Sequence, residues 1–245
     1  MPGPLLTLKN IDKTYQNGTV ALQGVNLTVQ SGEFISLVGP SGCGKSTVLR
    51  LVAGLGAPTG GLLSWQVAPP QRNLAFVFQD AALMPWANVV NNIYLPLKLK
   101  GQSLRSVRAN IQDAINMVDL RGAETSYPRQ LSGGMKMRVS IARALVTKPQ
   151  ILLMDEPFGA LDEMTRSRLN SDLLQLWQAK NWTVLFVTHN IYEAVYLSSR
   201  VIVMAARPGR LVADVPIKVT YPRTESFRTS PQFNHYCQEI MTALS

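Results

Sequence analysis

Acidic residues are scarce in this chain: 15 Asp+Glu stand against 24 Lys+Arg over 245 residues, a formal net charge of +9. Cysteine is scarcer still, with only Cys43 and Cys237. Two thiols far apart make neither a disulfide framework nor a spaced metal site, and they fit a reducing compartment. Long apolar runs are lacking. The longest candidates, such as Val201 to Ala206, are strand-sized, well below the ~18 residues of a membrane span. Met1 to Asn10 shows no charged stretch followed by an apolar one, so no signal peptide is visible and a soluble, cytosolic chain is expected. There is also no dense basic block with interleaved aromatics. The basic residues come in scattered pairs, among them Arg105 and Arg108, Arg166 and Arg168, Arg207 and Arg210. The positive balance admits nucleic acid, an anionic membrane surface or an anionic ligand as partner, while a solvated surface is the default for any one pair.

What is present is ample apolar material. At 46% hydrophobic and 16% charged residues, the chain can bury a sizeable core, which excludes disorder and small disulfide scaffolds. Its length suggests one large domain or two lobes. Leu5, Leu8, Val20, Leu22, Val25, Leu27 and Val29 punctuate short β runs broken by Asn17-Gly18 and Gly24. Phe34 to Val38 and Leu74 to Phe78 are compact strand candidates. The middle, roughly Ala81 to Pro128, is helical in pattern: Leu104, Val107, Ile111, Ala114, Ile115 and Val118 recur at three- and four-residue spacing. Ser132 to Val146 reads as a further helix. Strands and helices then alternate: Ile151 to Met154, Leu161 to Trp177, Thr183 to Thr188, Ile191 to Leu197, Val201 to Met204. Such alternation predicts an α/β fold on a parallel sheet. A tail from about Val219 carries Pro222 and Pro231 and a final helix candidate, His235 to Leu244.

Gly39-Pro40-Ser41-Gly42-Cys43-Gly44-Lys45-Ser46 fits G-x-x-x-x-G-K-[ST], with a strand before it and a helix, starting Lys45-Ser46-Thr47, after it. The glycines let successive N–H groups turn inward on an anion, and the helix adds its positive end. Lys45 is expected at the β/γ-phosphates and the Ser46 hydroxyl on Mg²⁺. Cys43 is read as a small filler, not a nucleophile. Ile151 to Met154 leads straight into Asp155-Glu156. Acids at the C-terminal end of a buried parallel strand lie where open α/β sheets bind ligands. Asp155 suits Mg²⁺, and Glu156 suits the polarising of an attacking water. Alone, Asp-Glu-Pro would be read as a surface turn. Leu131-Ser132-Gly133-Gly134 opens the next helix with a hydroxyl and free N–H groups. It is either a plain N-cap or a second phosphate-binding end.

Taken in order, Gly39–Ser46, Gln79, Leu131–Gly134, Asp155-Glu156, Asp162 and His189 resemble the Walker A, Q-loop, signature, Walker B, D-loop and switch histidine of the ATP-binding subunit of ATP-binding-cassette (ABC) transporters. The resemblance runs from about Leu5 to Val215. It implies a single P-loop NTPase cassette over 1–245, with a parallel-sheet core, an N-terminal antiparallel β subdomain, a helical subdomain at about 81–145 and a tail at about 219–245. It implies ATP and Mg²⁺ as cofactors, with Thr47 and Gly39 to Ser46 around the phosphates. Tyr15 resembles the aromatic that stacks on adenine, with ordinary strand packing as the lesser alternative. Gln79 resembles the hinge glutamine that senses Mg²⁺ and γ-phosphate. Asp162 resembles the residue communicating across the dimer, and Ser132, Gly133 and Gly134 the signature that meets ATP. His189, otherwise a structural histidine at a strand end, resembles the one that contacts γ-phosphate. Met135, Lys136 and Asn190 depart from the commonest residues of the pattern without removing a phosphate contact.

No fused membrane helices are present, no long coiled coil separates Lys45 from Ser132, there is one cassette, and too little chain follows His189 for a large regulatory domain. Gln79-Asp80-Ala81-Ala82-Leu83-Met84-Pro85-Trp86, Asn88 to Asn92 and Ala206-Arg207-Pro208-Gly209-Arg210 resemble importers of the nitrate, sulfonate, taurine and bicarbonate type. The implied partners are a second ATP-binding subunit, favoured as an identical chain, and a membrane permease seated near Leu83–Trp86. A periplasmic or lipid-anchored solute-binding protein is implied indirectly, and no nucleic acid. The implied place is the cytoplasmic face of the inner membrane. The lesser alternative is that Leu83 and Trp86 are simply core of the helical lobe. The competing class is a soluble ABC ATPase acting on nucleic acid or another protein.

Overall fold

The computed structural model describes residues 4–66 and 73–244. Met1, where the signal-peptide reading begins, and Ser245, at the end of the tail, lie outside them. Two sheets organise the chain. The smaller has the order β2-β1-β4, from β1 (Leu6–Thr14), β2 (Val20–Val29) and β4 (Gly60–Trp65), and is antiparallel throughout. The larger has the order β5-β6-β7-β3-β8-β9. Its strands are β3 (Phe34–Val38), β5 (Leu74–Val77), β6 (Ile151–Asp155), β7 (Thr183–Val187), β8 (Arg200–Ala205) and β9 (Arg210–Pro216).

Period-two patterning sets the layers. Phe34 and Val38 of β3 join one core with Phe186, Leu173, Ile93 and Ile115. Ile35 and Leu37 join the other with Val48, Leu49, Leu8 and Val25. One face of the large sheet is therefore covered by helices. The other is covered by α1 (Lys45–Val52) and the antiparallel sheet. Every residue of β3 and β7 is buried, as strands covered on both faces require. Each large side chain taken out of water there contributes roughly 1.5–3 kcal/mol. The α/β expectation with an antiparallel β subdomain and a helical lobe is met.

Details differ from the reading of the sequence. β9 runs antiparallel to β8, because only 206–209 separate them and a parallel return needs roughly a dozen residues or more. The sequence pattern predicts no strand at β4 or β9. β2 is one continuous strand that carries Gly24 at φ 58°, where a break was expected. The helical lobe holds α2 (Val89–Leu99), α3 (Leu104–Met117) and α4 (Gly133–Leu145). α5 spans Glu163–Lys180, two residues later than expected, because Asp162 is its N-cap and accepts from Thr165 N. α6 (Ile191–Leu197) lies as read. The tail contains α7 (Glu225–Arg228) and α8 (Pro231–Leu244), the latter starting earlier than His235. Among the described residues no helix is long and apolar enough to cross a membrane.

Candidate functional site

The phosphate loop joins β3 to α1 at the C-terminal edge of the parallel strands. Gly44 takes φ 90°, and a Cβ there would meet Leu22 Cδ2 at 2.5 Å and Ala21 O at 2.7 Å, so only glycine fits the turn. Cys43 is fully buried in the core beneath the loop, in keeping with a filler role. Lys45 is 5% exposed, and its Nζ donates to Gly39 O at 2.7 Å and Pro40 O at 3.0 Å. The ammonium is thus held at the loop's centre by the loop's own carbonyls.

β6 lies two strands away from β3 and brings in the acids. Ser46 Oγ donates to Asp155 Oδ1 at 2.8 Å across 109 positions of chain. Burial raises the Asp155 carboxyl above the ordinary aspartate range and Glu156 adds to the rise, while the Ser46 hydrogen bond, Arg50 and Lys45 pull it down. A hydroxyl and a carboxylate in contact form an oxygen-only donor set that fits a hard cation such as Mg²⁺. Glu156 turns out of the strand at φ 46°, and its Oε2 lies 3.0 Å from His189 Nδ1. His189 follows β7 and precedes α6. It is steadied by a local network: Asn190 caps α6 by accepting from Glu193 N, and Thr188 Oγ1 donates to the buried Glu193 at 2.5 Å. Burial pushes the Glu193 carboxyl up.

Tyr15, Ser41, Gly42, Gly44, Lys45, Ser46, Thr47, Gln79 and Glu156 line one cleft of about 420 Å³. Tyr15 stands at its mouth, 38% exposed, with its hydroxyl 3.1 Å from Thr47 Oγ1 and Lys13 Nζ 5.5 Å from its ring centroid. Its place is that of a half-open aromatic wall, not of a packed strand residue. Gln79, exposed beyond β5, also borders a second cleft with Gly133 and Leu161. The cleft lined by Lys45 and the one lined by Gly133 have Gln79 in common. Ser132 caps α4 by accepting from Met135 N. Gly134 has a packing reason as well, since a Cβ there would lie 2.7 Å from Thr165 Cγ2 of α5.

The Leu83–Trp86 segment divides between the two readings. Leu83 packs on the core, whereas Trp86 is 77% exposed. The buried Asn92 shapes this turn, accepting from Met84 N at 2.8 Å and donating to Ala87 O at 2.9 Å. Arg143 holds the preceding stretch through Ala81 O and Ala82 O. The sequence reading assigned no role to Asn92 or Arg143. An asparagine on an otherwise apolar helix face was the one available signal for the first. In the sequence Gly209 stands out only as part of a family-like stretch. A Cβ on it would sit 2.4 Å from both Ala21 O and Cys43 O, so the β8–β9 turn braces the phosphate loop from behind.

Comparison with known proteins agrees with this geometry. The sequence profile of the family described as ABC transporter matches residues 22–159. The aliphatic sulfonates import ATP-binding protein SsuB of Bacillus licheniformis is 44% identical over 242 residues, covering 96% of this chain and 92% of that protein. The dimeric structure of MJ0796, a bacterial ABC transporter cassette, superposes with a TM-score of 0.76 at 34% identity, covering 88% of this chain and 100% of that one. A post-hydrolysis state of MJ0796 bound to ADP and Pi superposes with the same TM-score at 33% identity and the same coverage. A family match across more than half the length, and a relative alike almost end to end, mean that the chain belongs to the ABC transporter family as an ATP-hydrolysing cassette.

Proposed function

We propose that the chain is the ATP-binding and ATP-hydrolysing subunit of an importer for a small anion of the sulfonate type, with nitrate, taurine and bicarbonate as neighbouring choices. The observation that carries this is the convergence of the phosphate loop, Asp155, Glu156 and His189 on one sheet edge, in a chain alike end to end to a sulfonates import ATP-binding protein. The relatives' names do not favour the alternative of a soluble ATPase acting on nucleic acid or another protein. ATP would lie with adenine on Tyr15 and its phosphates on the N–H groups of Gly39 to Thr47. Lys45 would bring its ammonium to the β/γ-phosphates. Ser46, Asp155 and Gln79 would hold Mg²⁺, which neutralises phosphate charge when bound. Glu156 would orient the attacking water, and His189, whose Nδ1 side faces Glu156, would contact the γ-phosphate.

The Ser132–Gly134 end of α4 would complete the site of a second, identical chain facing head to tail. The separate lining of the two clefts, which have Gln79 alone in common, supports this reading. The exposed Trp86, on a turn ordered by Asn92, would seat a permease at the cytoplasmic face of the membrane. The test is reconstitution of the chain in vesicles with a candidate importer permease and solute-binding protein. ATP turnover should rise with an aliphatic sulfonate or one of the neighbouring anions, and Trp86→Ala should abolish that rise without loss of ATP binding. Turnover indifferent to every such anion would overturn the reading.

A further inference from the structure

The tail after β9 was a stretch without a role in the sequence, and the structure attaches it to the helix behind His189. Arg223 is 5% exposed, an unusual place for a guanidinium. Its Nη1 lies 2.9 Å from each of Val195 O, Tyr196 O and Ser198 O, the carbonyls that end α6. Its Nη2 reaches Ile217 O and Val219 O at 3.4 Å. Among the described residues no carboxylate forms an ion pair with it. The buried charge is met by carbonyl oxygens at the negative end of a helix and by the ring of Tyr221 at 4.2 Å. Tyr221 adds a second tie, its hydroxyl donating to Leu197 O at 3.1 Å. Tyr196 answers by donating to Arg223 O at 3.2 Å.

α6 is only Ile191–Leu197, so its two ends are mechanically close. One end carries Asn190 and, next to it, His189. The other is gripped by the tail. We propose that Arg223 is a positioning residue for His189: the tail clamps the far end of α6 and thereby sets the imidazole against Glu156 and the γ-phosphate. This rests on the reading of His189 given above. On it, the tail is a working part of the hydrolytic site and not an appended regulatory segment. The nucleotide cleft itself contains no tail residue, so the clamp bears on turnover and not on affinity.

The experiment compares steady-state ATP hydrolysis by the full chain and its variants, with folding followed by circular dichroism. Arg223→Ala should lower kcat about tenfold, the loss expected when one charged hydrogen-bonding anchor is removed. KM for ATP should stay within about twofold, because ground-state binding is untouched. Arg223→Lys, which keeps a donor, should recover part of the rate. In the His189→Ala background Arg223→Ala should cost nothing more, since both act through one imidazole. Additive losses in the double variant would overturn the clamp, as would normal kcat in a folded Arg223→Ala. If Arg223→Ala does not fold, Arg223→Lys and Tyr221→Phe carry the same test: a reduced kcat that vanishes as an effect in the His189→Ala background supports it, and an additive or absent effect defeats it. His189→Ala alone tells the two readings apart. Unchanged kcat there removes the role of His189 and the clamp together, while a fall in His189→Ala with no effect of Arg223 removes the clamp only.

Discussion

Glu156 holds a left-handed backbone, φ 46°, that costs a non-glycine residue roughly 1–3 kcal/mol. The return is that its carboxylate leaves the line of β6 and meets His189. Glu156→Gln keeps the shape and removes the charge proposed above to draw a proton from water. It should retain ATP binding and lower turnover by about a hundredfold or more, as read by steady-state hydrolysis beside equilibrium nucleotide binding. Lys45→Ala should instead weaken binding itself. Glu193 gives a pH test of the network beside His189. Burial raises its folded carboxyl above the ordinary value of 4.5, so the folded state holds the proton more tightly than the unfolded one. Stability from this group is then full below about pH 4.5 and falls as pH rises through the raised value. Glu193→Gln should lack that slope. The difference in Tm, wild type minus variant, should shrink or turn negative as pH rises above 4.5; a flat difference would show no such coupling. The order of Glu156 and His189 was plain in the sequence. Their 3.0 Å contact was not, because it depends on β6 and β7 pairing with Asp155 opposite Val187.

At the scale of elements, the strands buried on both faces were the readable ones. β3, β6 and β7 are short, mainly apolar runs, with only Ser36, Asp155 and Thr183 polar, and no helix of such length and composition competes. β4 and β9 are edges with exposed positions, diluted by Gly60-Gly61 in one case and by polar alternation in the other. Their partners supply what their own residues do not. The β8–β9 turn shows the consequence. Gly209→Ala would force the turn off Ala21 and Cys43, an overpacking cost of about 1–3 kcal/mol. Because Cys43 belongs to the phosphate loop, nucleotide affinity should fall about tenfold along with Tm. A variant that binds the nucleotide normally would show that the turn is a passive neighbour. α4 was legible from its cap, Ser132, and its apolar face, while the role of Gly134 in admitting α5 was not, since Thr165 arrives from a later element.

For the whole molecule, the start of α1 at Lys45 and the start of α4 at Gly133 line different clefts, and both ends are proposed above to bind phosphate. In a head-to-tail pair, each nucleotide would join Lys45 of one chain to Ser132 of the other, and loss of γ-phosphate charge on hydrolysis would release the interface. Chains carrying Lys45→Ala mixed with chains carrying Ser132→Arg should regain activity that neither has alone. Half of randomly assorted pairs are mixed and each has one intact site, so recovery of about a quarter of the wild-type rate is expected where one site suffices. No recovery on mixing, with both variants folded, would argue for sites complete within one chain. The Leu83–Trp86 segment belongs to the same scale. Its apolar character was visible, but which of its side chains turns outward was settled by Asn92 and the core beneath Leu83.

The sequence by itself determined the chemistry that is local. A phosphate loop, its strand and its helix are contiguous, so residue types and spacing specify them without reference to the remainder of the fold. The strand-end acids and the Ser132 cap were legible for the same reason, whereas the Asp162 cap was not. The tertiary structure alone decided who stands next to whom: Gly209 behind the phosphate loop, Asn92 under the turn of Trp86, Arg223 on the carbonyls of α6. Hydrophobic periodicity states which face of an element is buried. It does not state which distant segment covers that face, because that depends on the sheet order β7-β3-β8-β9 and on contacts between residues far apart in the chain.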